Sequence, residues 1–177
     1  MDLRVKKTET AIKNAFLELR AKKPLEKITV KELCSLACIN KSTFYSHYED
    51  IYALSEAMEH ATVMSIINSI SDLKDYSREK SDAFTRKLCL AFMSQISLIK
   101  IMFSGREQNH LGSRLDEELK KLIFKKYPQF QNDPEKNILL SYCIQGAYHA
   151  YLNNPSVDTD TFVRTVEAIV KCLQPML

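Results

Sequence analysis

Apolar residues recur every three or four positions along most of the 177-residue chain, which is the spacing of the buried face of an α-helix. No segment of strand length alternates between apolar and polar residues, and the sequence contains no internal repeat or low-complexity tract. The pattern therefore predicts an all-α fold. Helices are predicted at about Val5 to Lys22, Asp50 to Ile70, Asp82 to Ser104, Leu115 to Lys126, Pro134 to Asn153, and from Asp158 or Thr159 onward, with breaks at Pro24, Gly105, His110 to Gly112 and Pro128.

The stretch from Thr29 to Tyr48 predicts two short helices with a tight break between them. Thr29 followed three residues later by Glu32 is the capping-box pattern that marks a helix start. The apolar positions that follow keep helical spacing as far as the break, which falls near Cys38 and Ile39.

The second of these two helices has one apolar and one polar side. Asn40 is a good N-cap for it, and Phe44 and Tyr48 form its apolar side. A short helix that buries one flank and offers small polar and basic groups on the other suits a DNA groove. The residues on its polar side are Lys41, Ser42, Thr43, Tyr45 and His47.

The distribution of charge supports the same interpretation. Residues 1–48 contain ten Lys and Arg against five Asp and Glu, a net charge of +5, whereas residues 49–177 contain fifteen against seventeen, a net charge of −2. Lys6 and Lys7 lie near the start of the first helix, where positive charge is unfavourable for the helix dipole and a DNA phosphate would compensate it. A solvated basic surface without a partner is the alternative explanation of this excess.

The five cysteines predict neither disulfides nor a metal site. Cys34, Cys38, Cys89, Cys143 and Cys172 form no CxxC pair and have no zinc-type spacing, and all lie in apolar sequence surroundings. They are expected to be buried structural thiols in a reducing compartment.

The sequence contains no sign of enzymatic activity. It has no paired carboxylates, no Ser/His/Asp arrangement and no Gly-rich phosphate loop, and it predicts no cofactor. His60, His110 and His149 lie on separate predicted elements; they would be ordinary polar residues or, alternatively, would converge on a ligand or metal. The chain begins without a signal peptide and lacks a transmembrane run, so a cytoplasmic protein without membrane contact is expected.

The two C-terminal helices have broader apolar faces than one small domain needs, which predicts a symmetric homodimer. A glycine in the first of them would permit close approach of two backbones. The alternative is a monomer in which both helices are core. The residues expected at the interface are Gly146, Phe162, Val166, Ile169, Val170 and Leu173.

Aromatic and methionine side chains of the C-terminal part are candidates for lining a small-molecule pocket, with a few polar residues as anchors. Such a lining favours an apolar or aromatic ligand. The candidate pocket residues are Thr62, Phe92, Met93, Phe103, His110, Tyr142, Gln145 and His149.

The first third of the chain resembles the TetR family of bacterial transcriptional regulators. The resemblance is carried by Ile28-Thr29-Val30, by the spacing to Ala37, and by the run from Ile39 to Tyr48. It implies a homodimeric repressor with a helix-turn-helix DNA-binding domain at residues 1–52 and a ligand-binding and dimerisation domain at residues 53–177. A small-molecule effector would release such a repressor from a palindromic DNA operator.

The resemblance also implies roles for individual residues. Thr29 would meet a phosphate, Tyr45 and His47 would contact the DNA backbone, and Lys41 and Thr43 would reach base edges. The full set of candidate DNA-binding residues is Thr29, Asn40, Lys41, Ser42, Thr43, Tyr45, His47, Lys6 and Lys7.

Two positions depart from the family pattern. Cys38 stands where the family usually has a turn glycine with positive φ, which predicts backbone strain of about 1 kcal/mol. Ile51 stands where the family often has a lysine that touches phosphate. Replacing Cys38 by Gly or Ile51 by Lys is therefore expected to tighten DNA binding.

A different class of function stays open beside this one. Some TetR-like proteins act as coactivators by binding another protein rather than DNA. The polar and basic side of the second short helix, which such proteins do not need, favours the DNA-binding alternative.

Overall fold

The computed structural model describes residues 3–70, 81–103 and 108–176, and these ranges contain helices and no β-strand. The prediction of an all-α fold is confirmed. None of the helices described in these ranges is long and apolar enough to cross a membrane. The helices are α1 (Leu3–Arg20), α2 (Val30–Leu36), α3 (Lys41–Tyr45), α4 (Ile51–Ile70), α5 (Ser81–Ser94), α6 (Ile96–Met102), α7 (Gln108–Lys126), α8 (Pro134–Asn153) and α9 (Thr159–Leu173).

The last two helices begin at aspartate side-chain caps. The Asp133 carboxylate accepts hydrogen bonds from the backbone N–H groups of Glu135 and Lys136 at the start of α8. The Asp158 carboxylate accepts one from the N–H of Thr161 at the start of α9. Each cap satisfies donors that lack partners in the first helical turn.

Two predictions about the middle of the chain were wrong. The helix expected from Asp82 to Ser104 is interrupted at Gln95, whose N–H bonds the carbonyl of Phe92 three residues earlier, so the α-helical hydrogen-bond ladder stops there. The break expected at His110 to Gly112 is absent, because α7 already begins at Gln108. The helix end expected at Gly105 lies outside the described residues.

The chain divides into two compact units, and the division falls within α4. The first unit contains the chain up to Thr62 together with the segment that begins at Ser97 in α6. The second unit contains Val63–Ile96 and the chain from Gln108 onward. Each unit therefore takes part of α4 and is built from segments that are distant in the sequence.

The first unit has an aromatic and aliphatic core beneath α1, α2 and α3. Ile12 and Phe16 of α1, Leu33 of α2 and Phe44 of α3 are fully buried. Ile12 and Phe16 are four residues apart, as expected on the buried face of an amphipathic helix. The short helices α2 and α3 therefore depend on this shared core, since isolated helices of this length are unstable in water.

A buried arginine joins two helices of the first unit. Arg20, the last residue of α1, is buried, and its Nη2 donates a hydrogen bond to the carbonyl oxygen of Met102, 2.9 Å away. Met102 ends α6, where backbone carbonyls lack helical partners and positive charge is favourable. The contact therefore fixes the C-terminal end of α6 to α1.

In the second unit, α5 and α9 pack along each other over a shared apolar cluster that includes Cys89, Phe162 and Val163. Arg86 of α5 and Glu167 of α9 form a two-pronged ion pair, with distances of 2.7 Å from Nε to Oε1 and 2.5 Å from Nη2 to Oε2. Paired guanidinium and carboxylate groups of this geometry fix orientation as well as contributing energy. The register of the two helices is therefore set by both packing and charge.

The contact between α7 and α8 requires a glycine at position 112. A Cβ atom there would lie 2.7 Å from Gln145 Oε1 and 2.8 Å from Tyr148 Cδ1, closer than Cβ atoms approach other heavy atoms. Gly112 is tolerated inside α7 because it lets the buried Tyr148 ring pack directly against the helix backbone. A close approach of this kind explains why a glycine here does not end the helix.

We expect the two helical glycines to respond oppositely to alanine. Gly112→Ala should lower the free energy of unfolding by about 1–2 kcal/mol, because overpacking outweighs the better helix propensity of alanine. In a single copy of the chain, Gly146→Ala should raise it by up to about 1 kcal/mol, since no heavy atom of that copy's described residues lies within 4 Å of the added methyl group. Urea unfolding of both variants at one protein concentration measures the difference; equal shifts in the same direction would refute the packing argument.

Candidate DNA-binding face and internal cavity

The predicted capping box is present at the start of α2. Thr29 Oγ1 accepts a hydrogen bond from the N–H of Glu32 at 3.3 Å, and the Glu32 carboxylate accepts one from the N–H of Thr29 at 3.2 Å. Lys23 Nζ donates to the same carboxylate at 2.7 Å and, with Thr29, lowers the pKa of Glu32. Thr29 is therefore exposed but already hydrogen-bonded within its own chain.

The turn between α2 and α3 has the hydrogen bonds of a Schellman motif. The N–H of Ile39 bonds the carbonyl of Cys34 at 3.0 Å, and the N–H of Cys38 bonds that of Ser35 at 3.4 Å. Cys38 occupies the left-handed position with φ of 54°. The predicted positive φ is confirmed, in a position where glycine is usual and a side chain is strained.

Replacing Cys38 by glycine is expected to stabilise the protein by about 0.5–1 kcal/mol. The gain is the relief of left-handed strain, reduced by the larger conformational freedom of glycine in the unfolded chain. Cys38→Ala keeps the strain and should leave the stability nearly unchanged, so it is the matched control. If both variants are equally stable in thermal unfolding, the turn is not strained.

Helix α3 turns Phe44 inward and most of its polar side chains outward. Phe44 is fully buried and packs edge-on against the ring of Tyr45, with ring centroids 5.5 Å apart. Asn40 is the N-cap residue, as predicted, but its side chain makes no capping hydrogen bond. We call the polar side the α3 face: Lys41, Ser42 and Tyr45 are exposed on it, and Thr43 and His47 are partly exposed.

The start of α1 lies close to one end of the α3 face. Lys13 Nζ in α1 donates a hydrogen bond to Glu9 Oε1 at 2.6 Å, and this bond is the main cause of the lowered pKa of Glu9. The charge of His47, from the α3 face, also acts on the Glu9 carboxylate and lowers its pKa. Lys6 and Lys7 are exposed in the first part of α1. Exposed cations of α1 and the polar α3 face therefore belong to the same small unit.

Ile51, which stands where the family often has a lysine, is buried in the structure. Its side chain is only 5% exposed, so it is part of the core rather than of the surface. It begins the apolar stripe of α4 that continues at the fully buried Leu54. The isoleucine therefore serves the core of the first unit, and the effect of a lysine here on DNA binding stays a prediction.

The second unit contains an apolar cavity of about 120 Å³ between α5, α7, α8 and α9, which is partly open to solvent. Its lining includes Leu88 and Phe92 of α5, Leu119 of α7, Tyr148 of α8 and Val166 of α9. Among the described residues that line it, none carries a charged side chain. Apolar cavities bounded by several helices are places where small molecules bind in helical proteins.

The structure places the candidate pocket residues in different environments. Phe92 lines the cavity, and Met93 packs against the adjoining apolar cluster. The buried residues Thr62 and Phe103 belong to the first unit. The remaining candidates lie on α7 and α8 outside the cavity lining: His110 and His149 are exposed, Gln145 is partly buried and Tyr142 is 67% exposed.

The candidate interface residues also separate into two groups. Phe162, Val166 and Val170 line the cavity within the chain, whereas Gly146 and Ile169 are exposed. The sixth candidate, Leu173, is partly buried at the end of α9.

The exposed apolar surface of α8 extends beyond the predicted glycine. Ile138 and Tyr142 are 70% and 67% exposed and precede Gly146 by two helical turns and one turn on the same side of the helix. Sequence reasoning missed Ile138 as a surface residue, because α8 is apolar nearly all round and its outward side has no polar signature.

The prediction of uniformly buried thiols was only partly right. Cys34 and Cys89 are buried and Cys143 is partly buried, but Cys38 and Cys172 are exposed. The left-handed turn places Cys38 at the surface, and Cys172 lies on the outer side of α9. Within the described part of the chain, no three His, Cys, Asp or Glu side chains come together as a metal site would require.

Comparison with solved structures finds proteins of similar fold. No protein-family model matches the chain, and no curated protein matches it. The crystal structure of a proposed transcriptional regulator from Pseudomonas aeruginosa PAO1 is similar, with a TM-score of 0.59 and 17% sequence identity. The match covers 94% of this chain and 90% of that one. The two proteins therefore share an all-helical fold over nearly their whole length.

Proposed function

We propose that this protein is a TetR-like transcriptional regulator, a homodimeric repressor that a small-molecule effector releases from a palindromic DNA operator. The observation that carries the proposal is the α3 face: Phe44 anchors the helix in the core while Lys41 and Tyr45 project from the other side. The fold shared with the Pseudomonas aeruginosa protein, itself a proposed transcriptional regulator, supports the same class of function.

In this proposal residues 1–52 bind DNA. Lys41 and Thr43 contact base edges, and they set the sequence preference. Thr29, Tyr45 and His47 contact the sugar-phosphate backbone and fix the register of α3 in the major groove. Asn40, Ser42, Lys6 and Lys7 supply further contacts, of which the two lysines are electrostatic and salt-sensitive.

Residues 53–177 form the dimer and receive the effector. The exposed apolar residues Ile138, Tyr142 and Gly146 on α8, with Ile169 on α9, support a contact between two copies. Burying such side chains against a partner removes apolar surface from water. Two-fold symmetry would place two α3 helices for the two halves of a palindrome.

Control of DNA binding follows as a population shift. An effector that binds the second unit in one pose of α4 better than in another shifts the equilibrium toward that pose. In this proposal the pose of α4, which contributes residues to both units, determines whether α3 is presented to DNA. The dimer leaves the DNA if, in the favoured pose of α4, its two α3 helices no longer fit successive major grooves.

Selection of duplexes from a random-sequence pool tests the proposal. We expect an inverted repeat to be enriched, and Lys41→Met to weaken binding to it by about 1–3 kcal/mol and relax the preference at one position. Lys125→Met, which changes an exposed lysine at the end of α7, should leave the affinity unchanged. Equal losses of DNA affinity in the two variants, or no enriched sequence, would contradict recognition of bases by α3. A stable complex with another protein, found instead of DNA binding, would favour the coactivator alternative.

A further inference from the structure

None of the described residues that line the cavity has an acidic or basic side chain. The groups with polar side-chain atoms in it are the hydroxyls of Thr85, Tyr148 and Tyr151 and the thiols of Cys89 and Cys143. Burial raises the pKa of Cys89 to about 11 and raises the pKa of Cys143 and of Tyr148. These three groups are therefore protonated and neutral under physiological conditions.

A neutral lining discriminates against charged ligands. A carboxylate or ammonium group that entered the cavity would lose its hydration and find no opposite charge among the described lining residues. Uncompensated burial of a charge is far more costly than burial of an apolar group of the same size. The raised thiol pKa values also make covalent capture of a ligand slow, since the thiolate is the reactive form.

The size and the aromatic walls of the cavity further restrict the class of molecule that it can bind. A volume of about 120 Å³ approaches the roughly 150 Å³ that accommodates one benzene ring in an apolar protein interior. Phe92 meets the rings of Tyr148 and Tyr151 edge-on, with centroids 6.1 and 5.5 Å apart, and Tyr151 meets Phe162 in the same way at 5.5 Å. Edge-to-face clusters of this kind extend favourably by one more aromatic ring.

We propose that the cavity binds a small uncharged aromatic molecule, the size of one benzene ring with one or two substituent atoms. The binding itself follows from the lining, the volume and the aromatic cluster. Only the assignment of this molecule as the effector that controls DNA binding rests on the proposed function.

Fluorobenzene is the probe for a direct test by ¹⁹F NMR with the full-length protein. We expect saturable binding of fluorobenzene, displaced by toluene, and at least 100-fold weaker binding of 4-fluorobenzoate and 4-fluorobenzylamine, which add a negative or a positive charge. Fluorobenzene that does not bind, or charged analogues that bind equally well, would overturn the proposal.

Two alanines on α8 provide a matched pair of variants. Ala147 lines the cavity, whereas Ala150 is exposed on the same helix. Ala147→Leu should reduce fluorobenzene affinity at least tenfold, and Ala150→Leu should leave it unchanged, with folding of both checked by circular dichroism. If Ala147→Leu does not fold, Leu119→Ala replaces it: the enlarged cavity should then bind 1-fluoronaphthalene more tightly than the wild-type cavity does. Unchanged affinities in the folded variants would place the binding elsewhere and overturn the proposal.

The outcomes separate this inference from the proposed function. Fluorobenzene binding by a protein that ignores DNA would support the ligand class while refuting the regulator. Sequence-specific DNA binding by a protein that does not bind fluorobenzene would do the reverse.

Discussion

Phe44→Ala is expected to lower the free energy of unfolding by about 3–5 kcal/mol, the usual result of deleting a fully buried aromatic side chain. Phe44 is 0% exposed and is the buried residue of α3, a helix of five residues that cannot persist without its core contact. DNA binding should be lost at the same time, because the polar side chains would no longer be held on one face. Urea unfolding and DNA affinity measured on the same preparation test both effects.

Tyr45→Ala is the matched control on the same helix. Tyr45 is 53% exposed but packs edge-on against Phe44, so its removal should lower the free energy of unfolding by only about 0.5–1.5 kcal/mol. In the proposed function it should still weaken DNA binding, because Tyr45 contacts the backbone of the duplex. A large stability loss in both variants would contradict the division of α3 into a buried anchor and a DNA-contacting face.

Ile51→Lys is expected to lower the free energy of unfolding by about 3 kcal/mol. The family resemblance suggests a gain in DNA binding for the same substitution and takes no account of this loss of stability. The side chain lies in the core, and a buried ammonium group without a counter-charge is costly. The substitution also places positive charge in the first turn of α4, where the helix dipole disfavours it and where Asp50 already caps the N–H of Ala53. Thermal unfolding of the variant measures the cost.

Tyr52→Lys separates the two contributions. Tyr52 follows directly in the first turn of α4 but is 57% exposed, so the substitution adds the same charge without burying it. We expect a stability change below about 1 kcal/mol, that is, only the part due to the helix dipole. If the two variants lose equal stability, burial is not the cause of the effect at Ile51.

Local signals in the sequence were sufficient for much of the fold. The capping box of Thr29 and Glu32 and the Asp133 and Asp158 caps depend only on groups within three residues of each other, so sequence spacing predicts them. The left-handed turn at Cys38 was predicted differently: the chain's own periodicity indicated only a break near Cys38 and Ile39, and the positive φ came from the family resemblance.

Features set by packing between helices were not predictable in this way. Glycine commonly ends a helix, yet Gly112 lies inside α7. The absence of a side chain there allows the ring of Tyr148 in α8 to pack against the α7 backbone. Helix α8 is apolar nearly all round, so its sequence did not reveal that Tyr142 is exposed while Tyr148 lines the cavity. Periodicity locates an apolar face only where a polar face contrasts with it.

The position of Ile51 illustrates a conflict between two kinds of inference. Its spacing with Leu54 and Met58 matches a buried stripe of α4, and all three are buried in the structure. The resemblance to a family with lysine at this position favoured a surface role instead. The pattern of the chain's own residues was the better guide, because burial depends on the neighbours that are present.

Directed DNA cleavage from the turn before α3 tests the central claim most directly. Cys38 and Cys172 are exposed, so an iron chelate can be attached to either thiol. The variant labelled at Cys38 has Cys172 and Cys143 replaced by serine, and the variant labelled at Cys172 has Cys38 and Cys143 replaced by serine. On a duplex obtained by selection, and with binding of the labelled protein verified by band shift, the account predicts strand cleavage from Cys38 within each half-site and none from Cys172 at the end of α9. Protein that binds the duplex but cleaves it from Cys172, or cleaves equally from both positions, would contradict the claim that α3 reads DNA.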